Sequence, residues 1–81
     1  MKPKYFFYVE PVIVTGKNQI EDNNIEYALK VKKVEIMRSL FKTVVSALVE
    51  ELNDKPRFLQ RAFMVKAGIK LPLKDEEEQN G

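Results

Sequence analysis

The sequence predicts a small α+β domain in which an antiparallel β-hairpin is packed by two α-helices. Two observations predict this fold class. Residues 5–14 are aromatic and β-branched, and residues 25–31 alternate between apolar and polar side chains, whereas from residue 34 onward the apolar positions recur with helical spacing. The predicted element order is β-β-α-α, with a short third edge strand over 69–73 as an open option.

The first predicted strand carries apolar side chains on both faces. Phe6 and Tyr8 share one face, and Phe7 and Val9 share the other. Such a strand is either covered on both sides, or covered on one side and used for recognition on the other. Pro11 has no N–H group to donate, which predicts either a bulge at that position or a place at the edge of the sheet.

The second predicted strand begins after a polar connection over residues 15–24. Ile25, Tyr27 and Leu29 alternate with Glu26 and Lys30, which is the period-2 signature of a half-buried strand. An antiparallel hairpin is the simplest way to pair the two strands.

The first predicted helix spans residues 34–52. Its apolar side chains fill an arc of about 220°, while a helix that packs only against a sheet needs an apolar arc of about 100°. Arg38 and Glu51 project from this arc, where charges suit the rim of an interface. We therefore expect the helix to pack between the sheet and a second apolar neighbour.

The second predicted helix spans residues 56–67. Pro56 suits the first turn of a helix, and Gly68 is placed as a C-terminal cap. Pro72 would confine a strand over 69–73 to an edge. The predicted organisation is one domain over residues 1–74, followed by a disordered acidic tail over residues 75–81.

The residue inventory argues against an enzyme. The chain has no His and no Cys, which removes the usual acid–base catalyst and the ligands of soft metals. Glu10 is the one carboxylate expected to be partly buried, but it lacks a partner carboxylate at fixed spacing. We expect no catalytic residue, no metal site and no cofactor.

Positive charge is concentrated in the middle of the chain. Residues 29–74 carry eleven Lys or Arg against four Asp or Glu, a net charge of +7, and residues 75–81 carry −4. No apolar run is long enough to span a bilayer. We therefore predict a non-catalytic, cytoplasmic binding module. Its acidic tail would act as a solubilising terminus, as a mimic of phosphate groups that competes for the basic residues, or as a docking tail.

A nucleic-acid interface is the first predicted binding site. If pairing brings the strand lysines beside the strand aromatics, rings could stack on bases while ammonium groups hold phosphates. The alternative is that the aromatics are core and the lysines are a solvated face. The predicted contacts are Lys30, Lys32, Lys33, Arg57, Arg61, Lys66, Phe6 and Tyr8.

A protein interface on the first helix is the second predicted site. A chain of 81 residues has a thin core and this one has no Cys for a disulfide, so a partner subunit is the remaining means of stabilisation, and we expect a homodimer. One alternative is an adaptor that binds another protein through the same helix. The other is cover by the second helix of the same chain, through Phe58, Leu59 and Phe63. The predicted interface residues are Met37, Phe41, Val44, Val45 and Leu48.

Overall fold

The α+β fold class is confirmed by a three-stranded antiparallel sheet followed by two helices. The structure, a computed structural model, describes residues 3–14 and 24–73. Its elements are listed in chain order as β1 (Phe7–Val14), β2 (Asn24–Val31), β3 (Val34–Ser39), α1 (Lys42–Asp54) and α2 (Arg57–Lys66). The predicted acidic tail and residues 15–23 of the predicted connection lie outside the described residues.

The strand β1 forms one edge of the sheet, whose order is β1-β2-β3. It pairs with β2 without a register shift, from Phe7 opposite Val31 to Val14 opposite Asn24. Of the two options that Pro11 left open, the edge position is therefore the observed one, because an edge strand tolerates a residue without an N–H donor.

The strand β3 corrects the prediction of a helix over residues 34–52. A two-residue turn of Lys32 and Lys33, both with positive φ, reverses the chain after β2. A β-bulge then leaves Ile36 as an extra residue, so that Ile36 and Met37 both pack towards the core. Two adjacent inward side chains disguise the period-2 pattern, which is why the sequence suggested a helix here.

The two helices occupy shorter ranges than predicted, and α2 ends as the sequence indicated. Gly68 has a φ of +87° immediately after the helix. The Gly68 N–H donates to the Val65 carbonyl and the Ile69 N–H donates to the Met64 carbonyl, which is the Schellman arrangement. The helical cap predicted at Gly68 is confirmed.

The core lies between one face of the sheet and α1, which contacts all three strands. We call this side the covered face and the opposite side the open face. No strand forms over 69–73, and Leu73 from that segment is buried in the core instead. The buried core consists of Tyr5, Phe7, Leu29, Val31, Val45, Leu52, Met64 and Leu73.

Candidate functional site

Two aromatic rings lie side by side on the open face of the sheet. The rings of Phe6 and Tyr8 are nearly parallel, at 16°, with centroids 6.4 Å apart, and we call them the aromatic platform. Phe6 is 71% exposed, while its neighbours Tyr5 and Phe7 are buried on the covered face. The alternation of a strand thus produces a core face and an exposed aromatic face from one aromatic run.

A lysine of β2 lies beside this platform. Tyr8 is the cross-strand partner of Lys30, so the two side chains share the open face. The Lys30 ammonium lies 3.1 Å from a carboxylate oxygen of Glu10, with the lysine side chain 18% exposed and the glutamate 46%. A phosphate group approaching Lys30 would therefore compete with Glu10.

The far part of the open face carries a second ion-pair cluster. Arg38 lies 2.7 Å from Glu35 and 3.5 Å from Glu26. Its hydrogen bond to Glu35 holds the pKa of that carboxyl below the ordinary value of 4.5. Arg38 was expected on an apolar helix face, and it lies instead on β3, because the bulged strand replaces the first turns of the predicted helix.

The turn between β2 and β3 presents two further lysines close to the platform. Lys32 and Lys33 have φ values of 50° and 68°, a region that side chains other than Gly, Asn and Asp rarely adopt. A Gly at the second position would be the usual choice for this turn. The turn thus carries two positive charges at positions that disfavour lysine.

The arginines of α2 bind the start of the chain and do not join the platform. Arg57 donates to the Pro3 carbonyl at 2.6 Å and to the Tyr5 hydroxyl at 3.0 Å, with its guanidinium 4.4 Å from the Tyr5 ring centroid. Arg61 donates to the same hydroxyl at 3.1 Å. Lys66 lies exposed at the end of α2. The eight predicted contacts therefore divide into two groups on different parts of the molecule.

Two side-chain carboxamides, which the sequence did not indicate as functional, form hydrogen bonds with the backbone of Tyr5 and Phe7. The Gln60 side chain accepts from the Tyr5 N–H at 2.8 Å and donates to the carbonyls of Tyr5 and Leu52. Asn53 bonds both backbone groups of Phe7 in the same way. Gln60 is completely buried. Nothing in the sequence around Gln60, which stands between Leu59 and Arg61, indicates these contacts.

The predicted interface residues also divide into two groups. Val45 is completely buried in the core of its own chain, and Met37 lies on β3 and packs against that core. Phe41, Val44 and Leu48 follow one flank of α1, with Phe41 65% and Val44 47% exposed. Phe41 and Val44 are therefore the most exposed of the predicted interface residues, while Met37 and Leu48 are half-buried.

The described residues contain neither a metal-binding group nor a membrane-spanning helix. Among them there is no group of three or more His, Cys, Asp or Glu that could hold a metal ion. No helix in this part of the chain is both long and apolar enough to cross a membrane. The open face and the exposed flanks of the two helices remain as the candidate surfaces.

Comparisons with protein families, with curated proteins and with solved structures gave no match to this chain.

Proposed function

We propose that this chain is a small, non-catalytic, intracellular module that binds single-stranded nucleic acid on the open face of its sheet. The observation that carries the proposal is the aromatic platform of Phe6 and Tyr8, lying exposed beside Lys30. Single-strand binders stack bases on exposed rings and hold the phosphates with nearby cations. A sheet face in which a ring and an ammonium group are cross-strand neighbours can supply both contacts.

Selectivity would come from the same groups. The platform offers two flat rings, and stacking on a ring requires bases that are not already paired in a duplex. Lys30 is neutralised by Glu10 in the free protein, so only a ligand whose phosphate displaces that carboxylate gains the full contact. Lys32 and Lys33 add positive charge at the adjacent turn. Together these features favour single strands and moderate affinity.

Fluorescence anisotropy with labelled single-stranded and duplex oligonucleotides tests this proposal. We expect single strands to bind more tightly than duplexes, with affinity that falls as salt rises because counterions are released. Phe6→Ala should weaken binding about 5- to 150-fold, because stacking one base on an aromatic ring contributes about 1–3 kcal/mol of binding free energy. Phe58→Ala is the matched control, because Phe58 lies on α2 and is 69% exposed.

A second variant tests the competition at Lys30. Glu10→Gln removes the carboxylate charge while keeping the size of the side chain, so binding should become several-fold tighter at low salt. Absence of binding by the wild-type chain at low salt would overturn the proposal. Equal losses in Phe6→Ala and Phe58→Ala would also overturn the assignment to the open face.

A protein-interaction adaptor is the second candidate, and one observation favours it. Phe58, Leu59 and Phe63 were the residues expected to cover α1 if the chain satisfied its own apolar surface. Phe63 packs against the core, but Phe58 and Leu59 are exposed. The flank of α1 that carries Phe41 and Val44 is therefore not covered by α2. A protein partner on α1 would leave Phe6→Ala without effect on its affinity.

A further inference from the structure

One flank of α1 presents an apolar stripe to solvent. The stripe begins at the residue before the helix and follows the i, i+3, i+7 spacing of one helix face. Val45 and Leu52, which point to the core, lie on the adjoining face of the helix, and Leu48 is half-buried at the border between the two faces. The α1 stripe consists of Phe41, Val44, Ala47 and Leu48, and Glu51 continues it by one turn.

The outward side of α2 presents a second apolar stripe. Gln60 and Met64 face inward, and the side chains opposite them remain exposed. Phe58 and Val65 are 69% and 63% exposed, values that are unusual for large apolar residues in an amphipathic helix. The α2 stripe consists of Phe58, Leu59, Ala62 and Val65, and Lys66 ends it.

The charges around the two stripes are opposite in sign. Glu50, Glu51 and Asp54 lie exposed at the C-terminal end of α1. Residues 55–73 contain five Lys or Arg and no Asp or Glu. The α1 stripe is thus flanked by acidic groups and the α2 stripe by basic groups. Within one chain the two stripes do not cover each other.

We propose that a second copy of this chain docks on the helical side, with the α1 stripe of each copy packed on the α2 stripe of the other. A two-fold axis makes this contact twice and closes the assembly as a dimer. This inference is independent of the proposed nucleic-acid site, because the aromatic platform lies on the open face of the sheet.

The order of residues also gives the relative direction of the paired helices. The α1 stripe runs from Phe41 to Glu51, about 15 Å at the rise of a helix, and the α2 stripe from Phe58 to Lys66, about 12 Å. Both stripes begin with a phenylalanine and end with a charge, and the two charges are opposite. A parallel alignment therefore places ring against ring and Glu51 of one copy near Lys66 of the other.

Molar mass measured by light scattering over a range of concentrations tests the dimer. We expect the wild-type chain to dimerise and both Val44→Asp and Phe58→Asp to weaken the dimer about a hundredfold or more, because each buries an unpaired charge. Ile13→Asp is the control, since Ile13 is exposed on β1, outside both stripes. Circular dichroism checks that each variant is folded.

A charge exchange distinguishes this pairing from other dimers. Glu51→Lys and Lys66→Glu should each weaken self-association, because each places like charges together at both contacts. An equimolar mixture should restore the dimer, since the mixed pair has opposite charges at both contacts. A monomeric wild type, a dimer that Phe58→Asp leaves intact, or a mixture without restoration would overturn the proposal.

Discussion

The two faces of the sheet differ although one aromatic run supplies both. Phe7 is completely buried on the covered face, whereas its neighbour Phe6 is 71% exposed on the open face. The covered face contributes burial of apolar area, which is the main source of folding free energy. The open face contributes little to stability, so its side chains are available for binding. The same residue type therefore serves stability at one position and, in the proposed function, recognition at the next.

The polar groups of the two faces differ in the same way. On the covered side, the buried carboxamide of Gln60 bonds three backbone groups of the N-terminal segment and α1. On the open face, Lys30 and Arg38 form ion pairs that remain partly exposed to water. Buried hydrogen bonds are costly to break, while exposed ion pairs contribute little. Replacing a polar side chain should therefore lower the free energy of unfolding substantially on the covered side and only slightly on the open face.

The largest expected difference between the faces is between the two adjacent phenylalanines. Phe7→Ala should lower the free energy of unfolding by about 3–5 kcal/mol, because it removes a buried ring that packs edge-on against Phe63. Phe6→Ala should change it by no more than about 0.5 kcal/mol, as an exposed substitution. Urea denaturation followed by circular dichroism measures both.

A folded Phe7→Ala variant is not required for this comparison. If that variant does not fold, Phe7→Leu gives a smaller loss of the same sign, still larger than the loss in Phe6→Leu. Equal destabilisation of the two positions would contradict the assignment of the faces.

The buried carboxamide gives the next largest effect. Gln60→Leu should destabilise the chain by about 2–3 kcal/mol, because it removes the buried acceptor of the Tyr5 N–H and a donor to two carbonyls. Leucine matches glutamine in size and helix propensity, so the loss reports the hydrogen bonds. Thermal unfolding compared with the wild type measures it, and an unchanged midpoint would contradict this role.

The turn between β2 and β3 should respond in the opposite direction. Lys33→Gly should stabilise the chain by about 1 kcal/mol, because Gly adopts the positive φ of this position at no steric cost. Lys33→Ala is the control, since it removes the charge and keeps the strain. Weaker nucleic-acid binding by both variants, with higher stability in the Gly variant alone, would show that the lysine serves binding. If Lys33→Ala stabilised the chain as much as Lys33→Gly does, backbone strain at this position would be ruled out as the cause.

The smallest expected effect is on the pH dependence of the open face. The Arg38 hydrogen bond lowers the pKa of Glu35 in the folded chain below 4.5, so the contribution of this pair is present above that pH. It is lost as the pH falls through the lowered folded value. Carboxyl titration followed by NMR should give a midpoint below 4.5 for Glu35 and the ordinary value in Arg38→Gln. An identical midpoint in the two proteins would contradict the ion pair.

Much of the fold could be predicted because local patterns are strong in this sequence. The apolar and polar alternation of 25–31 and the position of Gly68 each have one dominant physical meaning, and the missing N–H donor of Pro11 left only two options. The shared face of Tyr8 and Lys30 followed once the two strands were paired. These features depend on neighbours in sequence or on a simple hairpin.

The rest depended on contacts between distant residues. The bulge at Ile36 made β3 resemble part of a helix, because two adjacent side chains face the core. Arg57 and Arg61 resembled phosphate-binding cations, but the Tyr5 hydroxyl engages both across more than fifty residues of sequence. Nothing in the sequence shows that the start of the chain lies against α2, so neither this contact nor the role of Gln60 was predictable.

The most direct test of the binding account is an NMR titration of the aromatic ring signals with a short single-stranded oligonucleotide at low salt. The rings report on three regions of the molecule. Phe6 and Tyr8 report on the open face, Phe41 and Phe58 on the helical side, and Phe7 on the core. The account predicts that the Phe6 and Tyr8 signals shift progressively while those of Phe41 and Phe58 stay in place. The account would be contradicted if no signal shifted, or if the shifts were confined to Phe58, which lies within the basic residues 55–73.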